Sequence, residues 1–253
     1  MRKFMLYGAA ALLSFICFVA VFAPANILLK STKSQIMAAV PGLFINQISG
    51  TVWRGATTFR YRDFPLSNLQ WRLSALPLLS KKVEVSFDIS GTDHTLSGNI
   101  SAERDHLLLQ NIQGAIDSEY INVVSVPLGL TLTNQLILTD LSLASDLKQI
   151  NHIAGLIHWA GGSITARNGT NLQQFVLPPL QGKLSSRNDI TDNSPVSHLS
   201  VTHQNKAIMN ISFAQSGWVK VTVLGRLFEL AAIATSADTE ADDTVLEFEE
   251  KIL

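Results

Sequence analysis

The chain has 253 residues, of which 47% are hydrophobic and 15% charged, and its formal net charge is −1. Charged residues average about 25% in soluble domains, so this chain is poor in charge. Its neutral balance excludes the basic footprint that a nucleic-acid partner requires, and its length permits one large domain or two small ones.

The N-terminus accounts for part of the apolar excess. No residue from Phe4 to Leu29 is charged, and Arg2 and Lys3 precede that stretch. A helix crossing the hydrocarbon core takes about 20 apolar residues, and flanking positive charge stays on the cytoplasmic side. The expectation is a cytoplasmic end over 1–3, a transmembrane anchor over 4–25, and export of everything after it. A cleaved signal peptide is the rival reading, with Val21-Phe22-Ala23 as a small-x-small site. Against it, the apolar run from Met5 to Ala23 exceeds the roughly 7–15 residues of such a segment. Pro24 also sits directly after the cut. The only cysteine, Cys17, lies inside this stretch, so the exported part has no disulfide and must be held by its core.

Residues 26–40 read as a juxtamembrane helix stopped by Pro41-Gly42. From Phe44 the period of the pattern becomes two. In KKVEVSFDIS, Val83, Val85, Phe87 and Ile89 alternate with Lys82, Glu84, Ser86 and Asp88, the signature of a strand with one wet face. Ala207, Met209, Ile211 and Phe213 alternate in the same way, as do Val219, Val221 and Val223. Further runs cover 48–61, 66–74, 93–101, 106–113, 130–143, 155–167, 180–187 and 197–203, separated by short turn signals. Two short helices are expected: 117–126, capped at Asp117 or Ser118 and stopped by Pro127, and 226–235, with Leu227, Leu230, Ala231 and Ala234 on one face.

These elements predict a mainly β protein: a curled antiparallel meander sheet of about ten strands over 41–236. Two short helices cannot cover its apolar face. The sheet therefore either closes on itself or leaves an open groove. Glycines within the runs (Gly50, Gly55, Gly98, Gly114, Gly182) give places for bends and bulges. An internal echo, apolar-x-Trp-x-Gly, links GTVWRGA at 50–56 to LIHWAGGS at 156–163. The last segment, 237–253, is an acidic tail: Asp238 to Glu250 holds seven acidic residues, with Lys251 as the one base. Such a run reads as a solvated end or as a docking segment for a basic partner.

Signals for chemistry are scarce. The histidines (His94, His106, His152, His158, His198, His203) form no H-E-x-x-H and no zinc-finger spacing. No nucleophile elbow, P-loop or dinucleotide fingerprint occurs. No catalytic, metal or cofactor-binding residue is assigned, and no cofactor is expected.

One set of motifs carries a resemblance. A short basic start and apolar segment are followed by Pro24-Ala25. Gly50-Thr51-Val52-Trp53-Arg54-Gly55 comes next, then Leu69-Gln70-Trp71-Arg72-Leu73, then a second tryptophan among glycines at Gly155, Trp159 and Gly161. In this order they resemble the N component of the Gram-negative type II secretion system. The resemblance implies a single-pass inner-membrane protein with a periplasmic β domain, a non-enzymatic role in protein secretion, and other secretion components as partners. It also implies a likeness to β-rich envelope proteins that hold lipid in a groove, so lipid binding or transfer is the alternative. An envelope enzyme with a site assembled from distant residues is the third reading. The motif residues are expected to serve architecture, with Trp53 as a core plug that Gly50 and Gly55 accommodate.

Overall fold

The computed structural model describes residues 22–168, 171–188, 195–233, 238 and 240–251. Helix α1 spans Ala25–Ala39 and ends before Pro41-Gly42. Most of the expected anchor over 4–25 lies outside the described residues. No helix among the described residues is long and apolar enough to cross a membrane.

Alternation then governs the chain. Strands β1 (Leu43–Gly50), β2 (Arg54–Tyr61), β3 (Ser67–Leu73), β4 (Val83–Ser90), β5 (His94–Ala102) and β6 (Leu107–Ile116) follow one another as hairpins. Helix α2 (Ser118–Ser125) interrupts them, followed by β7 (Leu130–Leu132), β8 (Leu136–Ser145) and β9 (Ile150–Trp159). The second half holds β10 (Gly162–Asn168), β11 (Asn171–Leu177), β12 (Leu180–Asn188), β13 (Pro195–His203), β14 (Lys206–Ala214) and β15 (Trp218–Leu224). Helix α3 (Gly225–Leu230) and β16 (Thr244–Lys251) complete it. Thirteen strands form one antiparallel sheet in the order β1-β2-β3-β4-β5-β6-β8-β9-β12-β13-β14-β15-β16, and β11-β10-β7 form a second. The expected meander is present. β1 and β16 lie at opposite edges and do not pair, so the long sheet stays open.

Three expected runs each divide into two strands. Residues 48–61 turn back at Thr51-Val52-Trp53, whose side chains all favour strand by propensity. Gly50, at φ +90°, lets the chain reverse there, and a Cβ on it would meet the Arg54 carbonyl and the Gly55 backbone. Residues 130–143 divide at Asn134, which takes a left-handed backbone (φ +66°). Residues 155–167 divide at Ala160-Gly161, where the chain leaves the long sheet for the short one. Helix α3 is shorter than expected because Ala232 turns left-handed (φ +53°).

The curl comes from bulges. Between Leu109 and Ile112 β6 carries one extra residue, and between Leu138 and Leu141 β8 carries another. Asn111 (φ +52°) and Asp140 (φ +49°) sit at these irregularities in the left-handed region, which asparagine and aspartate tolerate better than most residues. Each bulge bends its strand and increases its twist. The bending brings non-neighbours together: Gln215 Nε2, beyond β14, donates to the Ile150 carbonyl of β9 at 3.1 Å, although β12 and β13 lie between.

The two ends of the sheet are unlike. The turns at 51–53, 74–82, 103–106, 146–149 and 215–217 gather at one, the Val52 end. α2, the short sheet and α3 all leave the long sheet at the other, the Tyr120 end. α1 runs between them. Its N-terminus is held at the Val52 end, where Pro24 bridges Thr51 and Val52 N donates to the Ala23 carbonyl at 3.0 Å. Its 15 residues span about 23 Å, close to the roughly 26 Å of the eight-residue strand β1 beside it.

Part of the acidic tail is a strand. β16 pairs with β15 from Trp218↔Lys251 to Leu224↔Thr244. Every residue of it is exposed, so it is solvated yet ordered. Arg226 ties its approach to the body: Nη1 donates to the Ala207 carbonyl at 2.7 Å, and Nη2 pairs with Asp242 at 2.6 Å. The composition of the tail hid this strand, because its acidic residues alternate with Val245, Leu246 and Phe248 over too short a span. Removing residues 238–253 is expected to bare the apolar edge of β15 and cause concentration-dependent self-association, measured by size-exclusion chromatography with light scattering. A monodisperse truncated chain with an unchanged melting temperature would contradict this role.

Candidate interaction surface

Cross-strand register places one apolar residue from each strand on a common line. The pairings run Ile48–Thr57–Leu69–Ile89–Leu96–Gly114–Leu138–Ile157–Gly182–Val201–Met209–Val223–Leu246. Only Thr57 breaks the apolar character, and its hydroxyl is satisfied by the Gln47 carbonyl at 2.8 Å. Strands lie about 4.8 Å apart, so the lane follows roughly 58 Å of curled sheet. A second lane, Leu184–Leu199–Ile211–Val221–Phe248, runs beside it. The opposite face is largely polar: Gln70, Asp88, Gln113, Thr139, His158 and Gln181 are all exposed, with Ile137 and Leu156 as apolar interruptions.

The lane is half covered. Leu69, Ile89, Leu96, Leu138, Ile157 and Val201 are neither fully buried nor fully exposed. Fully buried apolar side chains among the described residues are few, Phe87, Trp159, Ile208 and Val223 among them. Fully burying a large apolar side chain is worth about 1.5–3 kcal/mol, so an apolar face left at half burial retains much of that driving force for a ligand or partner.

At the Tyr120 end the sheet is plugged. Tyr120 of α2 packs on Phe64, ring centroids 4.7 Å apart, and on His94 at 4.3 Å. His94 Nε2 and Ser67 Oγ share a hydrogen bond of 3.0 Å, and Nδ1 is buried without a partner. Burial holds the His94 pKa below its ordinary 6.5, with the Asp93 carboxylate partly opposing. Burial also raises the Tyr120 hydroxyl, which Ser67 partly offsets. α2 is fixed in turn by Asn122, whose amide donates to the Leu132 carbonyl and accepts from Leu132 N, both at 2.9 Å.

At the Val52 end lies a cleft of about 450 Å³ between the 146–149 and 215–217 turns, lined by Leu147, Lys148, Ile150 and Phe213. The plug at one end and this cleft at the other were not legible in the sequence. The spacing of Phe64, His94 and Tyr120 carries no period, and only sheet topology brings them together.

The motif residues have structural work, distributed differently from the expectation. Trp53 sits half-buried in the β1–β2 turn, and its carbonyl accepts from Leu73 N at 2.7 Å. The indole that Gly55 accommodates belongs to Trp71: a Cβ on Gly55 would collide with the Trp71 ring and the Ser49 carbonyl. Trp71 Nε1 donates to the Val52 carbonyl at 3.1 Å, locking the turn. Trp159, 5% exposed, repeats the device by donating to the Thr133 carbonyl at 2.9 Å. Gly155 lets β9 pass close to the Leu141 backbone, and the Gly161 carbonyl accepts from Asn134 Nδ2 at 2.6 Å. The Trp-x-Gly echo therefore pairs a turn residue with a buried one; by role, Trp71 is the counterpart of Trp159.

Among the described residues no three His, Cys, Asp or Glu side chains gather as metal ligands. His198 Nδ1 and Ser212 Oγ hydrogen-bond at 2.9 Å, and burial lowers the His198 pKa, with Arg187 adding to the effect. His203 Nδ1 contacts the Pro179 carbonyl at 2.9 Å.

Trp159→Ala is expected to cost about 3–5 kcal/mol, seen as a lower denaturation midpoint, whereas Trp53→Ala in the turn costs less. The reverse order would contradict the assignment. Protonation supplies a second expectation. The unfolded chain protonates His94 near pH 6.5, and the folded protein does so only at lower pH. Stability is therefore complete above 6.5 and falls as pH drops below it. His94→Phe should flatten the decline of melting temperature between about pH 7 and 5. An unaltered slope would show that the plug histidine does not set it.

No curated protein and no solved structure gives a match. A family model described as type II secretion system protein N matches residues 41–237, from the first turn after α1 through the helix α3 region. That match covers the whole lane except its last strand, together with the Trp71 and Trp159 turn locks, and the chain belongs to the type II secretion system protein N family.

Proposed function

We propose that this chain is a non-enzymatic inner-membrane component of the type II secretion machinery, with its β body acting as a periplasmic scaffold for other secretion components. The family match over 41–237 carries the reading. The uncharged stretch from Phe4 to Leu29 after Arg2 and Lys3 supports a single anchor with the body on the far side of the membrane. The exposed, largely polar face offers a broad hydrogen-bonding surface of the kind a scaffold needs, and no step of the proposed role requires a reactive group.

A second reading has its own observation. The apolar lane crosses all thirteen strands in register and is only half covered, and large apolar surfaces on proteins usually meet a partner or a lipid. Under this reading the sheet is a trough for acyl chains.

A photo-reactive amino acid placed at Leu138 or Val201 on the lane, and at Gln113 or Thr139 on the polar face, separates the two in intact cells. The scaffold reading expects protein adducts from the polar face, identified by mass spectrometry as other secretion components. The trough reading expects lipid adducts from the lane alone. Adducts from neither face would remove both.

A further inference from the structure

We propose that the Val52 end of the sheet is a membrane-contacting rim: its turns insert leucines into the interfacial layer of the bilayer and hold lysines at the headgroups. The proposal rests on the anchor reading above, because it takes the 4–25 segment as membrane-embedded up to where Ala23 and Pro24 meet the body.

Two independent observations meet at this end. The first is where the chain enters the body. The uncharged stretch that runs from Phe4 to Leu29 meets the body at Ala23-Pro24, where both residues are fastened to the 51–53 turn. With almost no slack between segment and body, the turns beside Thr51 and Val52 are held near the membrane surface. The second is what those turns carry. The 74–82 turn contains a short 3₁₀ helix, Leu76–Ser80, with Leu76 80% and Leu79 85% exposed, and Lys81 and Lys82 follow it. The 146–149 turn repeats the arrangement with Leu147, 63% exposed, beside Lys148. Trp218, 43% exposed, stands at the start of β15 on the same end.

Leucine tips flanked by lysine, with a tryptophan at the same level, match the interfacial layer of a bilayer. There apolar side chains reach the acyl boundary, the indole sits among headgroups, and ammonium groups meet lipid phosphate. Exposed apolar residues alone would not decide this, since Leu66, Leu172 and Val176 are also exposed elsewhere. The two ends differ in charge balance: the turns at the Val52 end carry Lys81, Lys82, Arg104 and Lys148 against Glu103, Asp105 and Asp146, whereas those at the Tyr120 end carry Asp63, Asp93, Asp117 and Glu119 against Arg62, an acidic excess that an anionic membrane repels. The cleft lined by Leu147, Ile150 and Phe213 opens at the rim, so seating the rim would put it against lipid.

The test uses the full chain with Cys17→Ser, reconstituted in phosphatidylethanolamine–phosphatidylglycerol vesicles. An environment-sensitive fluorophore is attached at Leu79→Cys, Leu147→Cys or, as a control at the far end, Thr92→Cys. Quenching is read with nitroxide-labelled lipids. The expected result is quenching at 79 and 147 about threefold stronger than at 92, with blue-shifted emission, as for side chains in the interfacial layer. If the protein floats with the vesicles but 79 and 147 are quenched no more than 92, the rim is overturned and the anchor stands. If the full chain does not float with the vesicles, the anchor reading fails and the rim fails with it.

Discussion

Everything in this structure depends on keeping a two-residue period in register through a long series of antiparallel pairings. In a strand, a slip of one residue moves every apolar side chain to the other face. Here one slip in any hairpin would break the lane for all later strands. The bulges show how strictly the parity is kept. Leu109 pairs with Leu143, and Ile112, three residues on, pairs with Leu141. An odd step on one strand would invert its face, but Asn111 takes the extra residue in a left-handed bend. Asp140 does the same on β8, so Leu138 and Leu141 stay on the lane side. The bulges curve the sheet without exchanging its faces.

A single curled layer has a different energetic character from a two-layer domain. Its apolar side chains are shielded mainly by neighbours on adjacent strands, and the few buried ones cluster where a cap or a bend adds cover. The caps stand at one end. Tyr120, Phe64 and His94 close the Tyr120 end with tilted, closely packed rings, and burial there lowers the His94 pKa. The lateral edges are handled separately: α1 lies along β1, and acidic β16 covers β15. Glutamates along an outermost strand discourage further pairing by charge repulsion. These features leave a half-covered apolar lane between two unlike ends of an open sheet.

The tryptophans show how a fold of this kind pins its turns. Trp71 and Trp159 each stand on a strand and send the indole N–H to a carbonyl in a connection between two other strands, at Val52 and Thr133. A buried indole supplies both a large apolar surface and a single donor, so one side chain fixes a turn and fills the space beneath it. The arrangement explains why glycines accompany these tryptophans. Gly55 yields its Cβ volume to the Trp71 ring, and Gly161 presents its carbonyl to Asn134 where the chain passes to the second sheet.

The sequence by itself determined the class of structure: alternation in stretches such as 83–89 and 207–213 demands strands with one apolar face, and Pro41-Gly42 and Pro127 mark where helices stop. The Gly-Thr-Val-Trp-Arg-Gly stretch and its companions pointed to the secretion family, which the match over 41–237 bears out. These features are local, and local pattern is set by backbone period and turn chemistry. Tertiary structure alone decided the rest. Thr51-Val52-Trp53 favour a strand by propensity yet turn, because Gly50 permits reversal and Trp71 locks it. β16 was hidden in an acidic tail because its partner strand, not its composition, makes it a strand. The meeting of Phe64, His94 and Tyr120, and the gathering of Leu76, Leu79 and Leu147 beside Pro24, depend on which hairpins share an end of the sheet. That is settled by register and curl across distant residues, which a one-dimensional pattern does not encode.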